Sequence, residues 1–317
     1  MKNSGYSYSD RILQPDAGVS VTDFYSRHYP HSTEEIWRLR IQEGQVLLNG
    51  RPPSPDDTLT RGDRLIYHRL PWEEPEAPPD FETLFEDGDV LVLAKPPGLP
   101  VLPGGLFLEN TLLYLARQRY GAGCSPLHRL GRGTSGAILF TRNARAARSL
   151  AAAMVERRIL KVYLALASGT AMPDTFTVDA PIGPVPYRRP ANVHAYRPDG
   201  RSSISHVRVI RRLPDENATL LEVTIPTGRP HQIRIHLSYA GCPLVGDPLY
   251  QSGGIPRAGS SDEEFAARPG DSGYFLHSWK IRFPHPERGE NVEVVCPPPP
   301  NFILILQPLA LVTTGMP

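Results

Sequence analysis

Apolar and polar positions recur with two different periods along this chain, and the switches between them mark its elements. In "HSTEEIWRLRIQ", Ile36, Leu39 and Ile41 form a helical stripe, with Ser32 and Glu35 spaced as a capping box in front of it. "QVLLNG" reads as a short strand ending in an Asn-Gly turn and "RGDRLIYH" as a second, so the opening unit is helix, strand, loop, strand. "LPWEEPEAPPD" carries four prolines and four acids and cannot sustain a regular element. It predicts a linker over 71–80, between a small domain at 1–70 and a larger one at 81–310.

Beyond it, "DVLVLAKPPG" is an apolar strand stopped by Pro96, Pro97 and Gly98, and "ENTLLYLARQRY" predicts a helix capped by Asn110. "GAILFTRN" is a buried strand. "NARAARSLAAAMVERR" puts Ala146, Leu150 and Met154 on one helical face. "KVYLALASG" is the next strand, "SHVRVIRRLPDENATLLEVTIPTG" a hairpin, and "RPHQIRIHLSYAG" a helix. Polar, Gly-rich residues 251–272 predict a mobile surface loop, after which "YFLHSWKIRFPHP" and "NVEVVCP" add two strands. Many strands, few helices and no regular βαβ rhythm predict an α+β fold with a mixed, mainly antiparallel sheet.

Composition narrows the class. With 317 residues and 40% hydrophobic content the chain can fill a real core. Cys124, Cys242 and Cys296 lie far apart without metal or disulfide spacing. No apolar run reaches the roughly 18 residues a bilayer span needs, and the N-terminus resembles no signal peptide, so a cytoplasmic protein away from membranes is expected. The formal charge of +1 hides an asymmetry: residues 121–240 hold 17 lysines and arginines against 7 acids, the remainder 17 against 26. That segment is a candidate phosphate-binding surface.

The candidate chemistry lies in "KPPGLPV" (95–101), "HRLGRGTSGAILFTRN" (128–143), "KVYLAL" (161–166) and "TGRPHQIRIHLSYAGCPLVGDPLY" (227–250), joined by "FLHSWKIRFPHP". In order and spacing they resemble the RluA-type pseudouridine synthases from about residue 80 to 300. The front unit resembles the small α/β RNA-binding module first seen in a ribosomal small-subunit protein, on Arg38 and Arg40, Gly44 to Gly50 and Gly62 to Leu65. The resemblance implies isomerisation of uridines in structured ribosomal or transfer RNA by a monomer that needs no cofactor or metal: the glycosidic bond breaks, uracil turns, and C5 joins the ribose. It implies that Tyr163 stacks on the uracil and helps remove the C5 proton, and that Arg234 pairs with a catalytic carboxylate. RNA contacts are implied at His128, Arg129, Arg132, Thr134, Lys161, Arg229 and His231, with Arg38 and Arg40 adding affinity but no chemistry from the front module.

One position departs from the family pattern. Where the family loop reads H-R-L-D and the aspartate is the nucleophile, this chain has Gly131, which offers no oxygen and no charge. Three readings remain open: another carboxylate acts, with Asp247 of "GDPLY" the nearest to a family motif; the protein binds RNA without isomerising it; or the chain is a variant of an active enzyme. Arg234 is expected to be hydrated, anion-bound or paired with another acid, and Gly131→Asp to raise activity, provided that the glycine does not depend on a positive φ. Two rival chemistries are weaker. "GTSGA" misses the serine-hydrolase elbow at Ala137 and runs into a strand, and His231 and His236, five residues apart on a helix, diverge by about 140° as metal ligands.

Overall fold

In the computed structural model the chain divides into two units, Met1–Pro75 and Glu76–Pro317. Residues 2–187, 192–251, 253–257, 270–300 and 302 are described. The first unit contains β1 (Tyr6–Arg11), α1 (Val21–His28), α2 (Glu34–Gln42), β2 (Val46–Leu48) and β3 (Arg64–Arg69), with the strands antiparallel in the order β1-β3-β2. The Tyr-Ser-Tyr-Ser alternation of β1 and the helix in "VTDFYSRH" extend the helix-strand-loop-strand unit expected from the sequence. Thr33, not Ser32, caps α2 by accepting from Ile36 N–H, and Ser32 Oγ instead accepts from Arg40. The predicted stripe is also rotated. Trp37 and Ile41 face the core, one helical turn apart, and Trp37 stacks on Tyr25 at 4.6 Å, which leaves Ile36 and Leu39 exposed. The proline-rich stretch is not free chain throughout: Asn3 N–H donates to Trp72 C=O, and Asn3 Nδ2 donates to Glu74, fastening its first half to this unit.

The second unit is built on a ten-stranded sheet. Its chain runs through β4 (Glu82–Glu86), β5 (Val90–Lys95), α3 (Leu112–Tyr120), β6 (Ser125–Pro126), β7 (Ser135–Thr141), α4 (Ala144–Val155) and β8 (Leu160–Ser168). There follow β9 (Thr175–Asp179), β10 (Ile182–Pro186), β11 (Asn192–Tyr196), β12 (Ile204–Leu213), β13 (Ala218–Thr224), α5 (Gln232–Tyr239), β14 (Leu276–Pro284) and β15 (Asn291–Val295). The main path is β4-β5-β7-β14-β8-β13-β12-β9, with β15 on β14 and β6 on β7, while β10 and β11 form a separate ribbon. Every pairing is antiparallel except β7 with β14, so the sheet is mixed and mainly antiparallel, within an α+β fold.

Strand periodicity explains why both faces are covered. Leu91, Leu93, Ile138, Phe140, Tyr163 and Ala165 pack with Leu112 and Ala116 of α3 and with Ile233 and Leu237 of α5. The intervening Val90, Val92, Ala137 and Leu139 pack on the other face with Leu150 and Ala153 of α4. Met154 is only partly buried there, because Ala153, three residues after Leu150, takes the core position. Thr111 rather than Asn110 caps α3, accepting from Tyr114 N–H. The expected hairpin is β12 and β13. Most of the loop expected at 251–272 lies outside the described residues. All three cysteines are buried and free.

Candidate active-site cleft

The segment between β6 and β7, the C-terminal end of α4, the start of β8 and the turn ahead of α5 enclose a cleft of about 750 Å³. Residues that the sequence scatters over 100 positions meet here: His128, Arg129, Gly131, Lys161, Tyr163, Arg229 and His231 all line it. So does Arg157, which sequence reasoning missed; it follows α4 with a left-handed φ of 58° and is exposed. Among the described residues no aspartate or glutamate lines the cleft, so Arg129, Arg157, Lys161 and Arg229 give the described lining one sign, suited to a polyanion.

The electrostatics differ from residue to residue. Lys161 is 5% exposed, and its Nζ contacts Met154 Sδ at 3.9 Å, with no carboxylate paired to it among the described residues. Burial lowers it to about 8. Gly228 adjoins it: a Cβ there would lie 3.1 Å from Nζ. His128 is lowered to about 3 by burial and by Lys161 nearby, and its Nε2 accepts from Leu139 N–H, so the ring is neutral and braces the segment. His231 precedes α5 with φ 56° and is likewise lowered to about 3, by burial and then Arg234. Its Nδ1 bonds Tyr250 Oη at 2.9 Å; because that hydroxyl donates to His194 C=O, Nδ1 donates and Nε2 remains an acceptor. Tyr163 is raised to about 12 by burial, so its phenol is neutral at physiological pH.

Lys95 of "KPPGLPV" holds the H-R-L-G loop from behind. It is buried, and its ammonium donates to the carbonyls of Pro96, Leu99 and Arg132. Burial, with Arg132 adding to it, lowers it to about 7. Neither Gly131 nor Gly133 has a positive φ, so the backbone does not demand glycine at either position. Tyr274 does. A Cβ on Gly131 would lie 2.9 Å from Tyr274 Oη, and one on Gly133 would lie 3.0 Å from Cε1 and Cζ of the same ring and 3.0 Å from Ser272 Cα. The two glycines flank Arg132 because the Tyr274 ring runs across both.

Behind that ring stands Arg234, with its guanidinium carbon 4.2 Å from the ring centroid. Another acid does hold this arginine: Nε and Nη2 each donate to Asp247 at 2.7 Å, in a pair whose side chains are 2% and 1% exposed. Asp247 also accepts from Leu249 and Tyr250 N–H. With both oxygens held by Arg234 and one also by two backbone N–H groups, and with its side chain 1% exposed, Asp247 is a poor replacement for the missing nucleophile.

Other sequence-derived site residues have partners within the fold, and burial removes some of them from the cleft. Thr134 is 4% exposed and bonds Tyr274 Oη at 3.2 Å, so its hydroxyl is structural. Arg132 turns away from the cleft to donate to Gly270 C=O and lie near the Phe107 ring. Arg229 lines the cleft while donating to Ser202 C=O. In the first unit, Arg38 is engaged with Glu34 and Asp56, and Arg40 lies over Trp37 at 4.6 Å. Ser135 of "GTSGA" does bond His277 Nδ1, yet both are buried and His277 Nε2 faces Cys296 C=O rather than a carboxylate, which removes the hydrolase reading. His236 spends both ring nitrogens on Ser205 and Ala180, and no cluster of three metal-ligating side chains occurs among the described residues.

Comparison with known proteins places the chain in a family. Residues 89–239 match the RNA pseudouridylate synthase family, a stretch that contains Gly131, Tyr163 and Arg234. RNA pseudouridine synthase 5 of Arabidopsis thaliana is 38% identical, covering 94% of this chain and 94% of that protein. Ribosomal large subunit pseudouridine synthase D of Neisseria meningitidis is 31% identical, covering 89% of this chain and 76% of that protein. Among solved structures, human RNA pseudouridylate synthase domain containing 1 aligns with a TM-score of 0.55 and 26% identity, over 72% of this chain and 87% of that one. The chain thus belongs to the RNA pseudouridylate synthase family of isomerases.

Proposed function

We propose that this protein isomerises uridine to pseudouridine in structured ribosomal RNA. The observation that carries the reading is the cleft itself, which Tyr163 and Gly131 line together with four cationic side chains and, among the described residues, no carboxylate. A uridine flipped out of its stack loses a few kcal/mol of stacking, which phosphate contacts to Arg129, Arg157, Lys161 and Arg229 would offset. Tyr163 stacks on the uracil. The first unit adds RNA affinity, through the exposed Ile36–Leu39 face and Arg38. The Neisseria relative's name supports a large-subunit ribosomal substrate, with transfer RNA as the alternative. The same lack of a carboxylate supports a second reading, an RNA-binding protein that does not isomerise. Tritium release from RNA labelled at uridine C5 separates them: release that tracks pseudouridine formation is expected, and binding without release would leave only the second reading.

Lys161 gives this reading a pH signature. Its folded-state pKa of about 8 lies below the roughly 10.4 of a free lysine. Its ammonium therefore contributes to phosphate binding below pH 8, and RNA affinity should fall as pH rises through that value. Stability should move the other way, rising between about pH 8 and 10, because there the unfolded chain binds the extra proton. Lys161→Met should weaken RNA binding at pH 7 and flatten both trends, as read by filter binding and urea melts across pH. A Lys161→Met protein with unchanged affinity and unchanged pH dependence would remove Lys161 from the RNA surface.

A further inference from the structure

We propose that the Tyr274 hydroxyl is the oxygen that acts on the ribose in place of the carboxylate missing at position 131. Its direction carries the argument. Among the described residues other than its chain neighbours, two atoms lie within 4 Å of the Cβ position of Gly131, Tyr274 Oη at 2.9 Å and Thr134 Oγ1 at 3.4 Å, so the ring carbon bearing the hydroxyl is farther off and its C–O bond points at that Cβ position. An oxygen is thus delivered from β14's approach to the place where a side chain of residue 131 would begin. Gly131 lines the cleft, whereas Tyr274 is 6% exposed and not among the lining residues, so its hydroxyl faces the cleft only through the space that a side chain at 131 would fill. The phenol is fixed on three sides: Thr134 Oγ1 at 3.2 Å, the Arg234 guanidinium on one face, and the Gly133 backbone against its edge. Such fixing is what a reacting group requires.

The chemistry closes without a co-reactant. Tyr274 Oη bonds to C1′ of the flipped uridine as the C1′–N1 bond breaks; the bonding pair stays on N1, which takes the phenol proton. Uracil turns to present C5. C5 then bonds to C1′, the C1′–O bond breaks with its pair returning to Tyr274 Oη, and the C5 proton passes to that oxygen. One proton has left C5 and one has been gained at N1, so the product is pseudouridine and the tyrosine is restored.

This inference rests on the isomerase reading, and its test separates the two. In tritium-release assays on C5-labelled RNA, Tyr274→Phe should lose turnover by on the order of 10⁴-fold while binding RNA with nearly wild-type affinity. With the hydroxyl gone, Thr134 Oγ1 is what remains within 4 Å of the Gly131 Cβ position among the described residues beyond its chain neighbours. The double variant Gly131→Asp with Tyr274→Phe should therefore regain turnover through the carboxylate. Gly131→Asp alone, pressed against the tyrosine, should not exceed the wild type, in contrast to what the sequence alone leads one to expect. A fluorinated tyrosine at position 274, alike in shape but more acidic, should move the pH–rate profile toward lower pH. An active Tyr274→Phe within threefold of wild type, or a profile that the fluorinated residue leaves in place, overturns the role of Tyr274 and leaves the isomerase reading standing. A silent wild type overturns both.

Discussion

Asp247→Ala is expected to destabilise the second unit by about 3–5 kcal/mol, a large part of the stability of an ordinary domain. The pair with Arg234 is almost fully buried, and both of its hydrogen bonds measure 2.7 Å. Removing the carboxylate takes the Asp247 charge away from a guanidinium that cannot deprotonate, and it also frees the Leu249 and Tyr250 N–H groups that Asp247 accepts from. Asp247→Asn keeps an acceptor for those backbone groups and should lose less. Urea melts of the two variants measure the difference, and an alanine variant within about 1 kcal/mol of wild type would show that Arg234 does not depend on this acid. Because Arg234 supports the Tyr274 ring, Asp247→Ala should also reduce turnover without changing any cleft-lining side chain.

Gly136→Ala should prevent folding of the second unit or cost more than about 4–5 kcal/mol. Gly136 sits at φ 111° where β7 pairs with β14, opposite Ser278, and on its other side it pairs with Lys95 of β5. A Cβ there would collide with Ser278 O and lie 2.6 Å from Ser278 N, which are backbone atoms that cannot swing aside. The parallel register in mid-sheet, and with it the placement of Tyr274 two residues before β14, depends on that glycine. Gly169→Ala is the control: its φ of 88° is also positive but nothing lies within 4 Å, so only the conformational cost of roughly 1 kcal/mol is expected. If Gly136→Ala unfolded at the wild-type urea midpoint, the close strand approach would be wrong.

Much of the fold was legible because it is written in local period. "GAILF" is apolar without interruption and is buried on both faces within β7, and the Pro-Asp-Glu-Asn turn joins β12 to β13 as its flanking alternation requires. The misses were also local, and each came from a competitor one step away: Thr33 rather than Ser32, Thr111 rather than Asn110, and Trp37 rather than Ile36 facing the core. Period and cap chemistry locate an element to within a residue or two, but which neighbour wins is settled by the surface that the element meets.

The motifs by themselves determined which segments would carry the chemistry, and that position 131 lacks a carboxylate, since residue type and spacing are properties of the chain. Tertiary structure decided what that lack means. Thr134 and Tyr274 are 140 residues apart and meet only because β14 inserts between β7 and β8. No local pattern could indicate that Gly131 and Gly133 are small to admit a ring from so far away. Asp247 and Arg234 follow the same rule: each stands in its own recognisable motif, but their mutual burial, which turns a possible nucleophile into a counter-ion, exists only after α5 has packed against the loop that follows it. Charge and period are carried by the sequence, whereas burial, which sets what each charge can do, arises only when distant segments exclude water together.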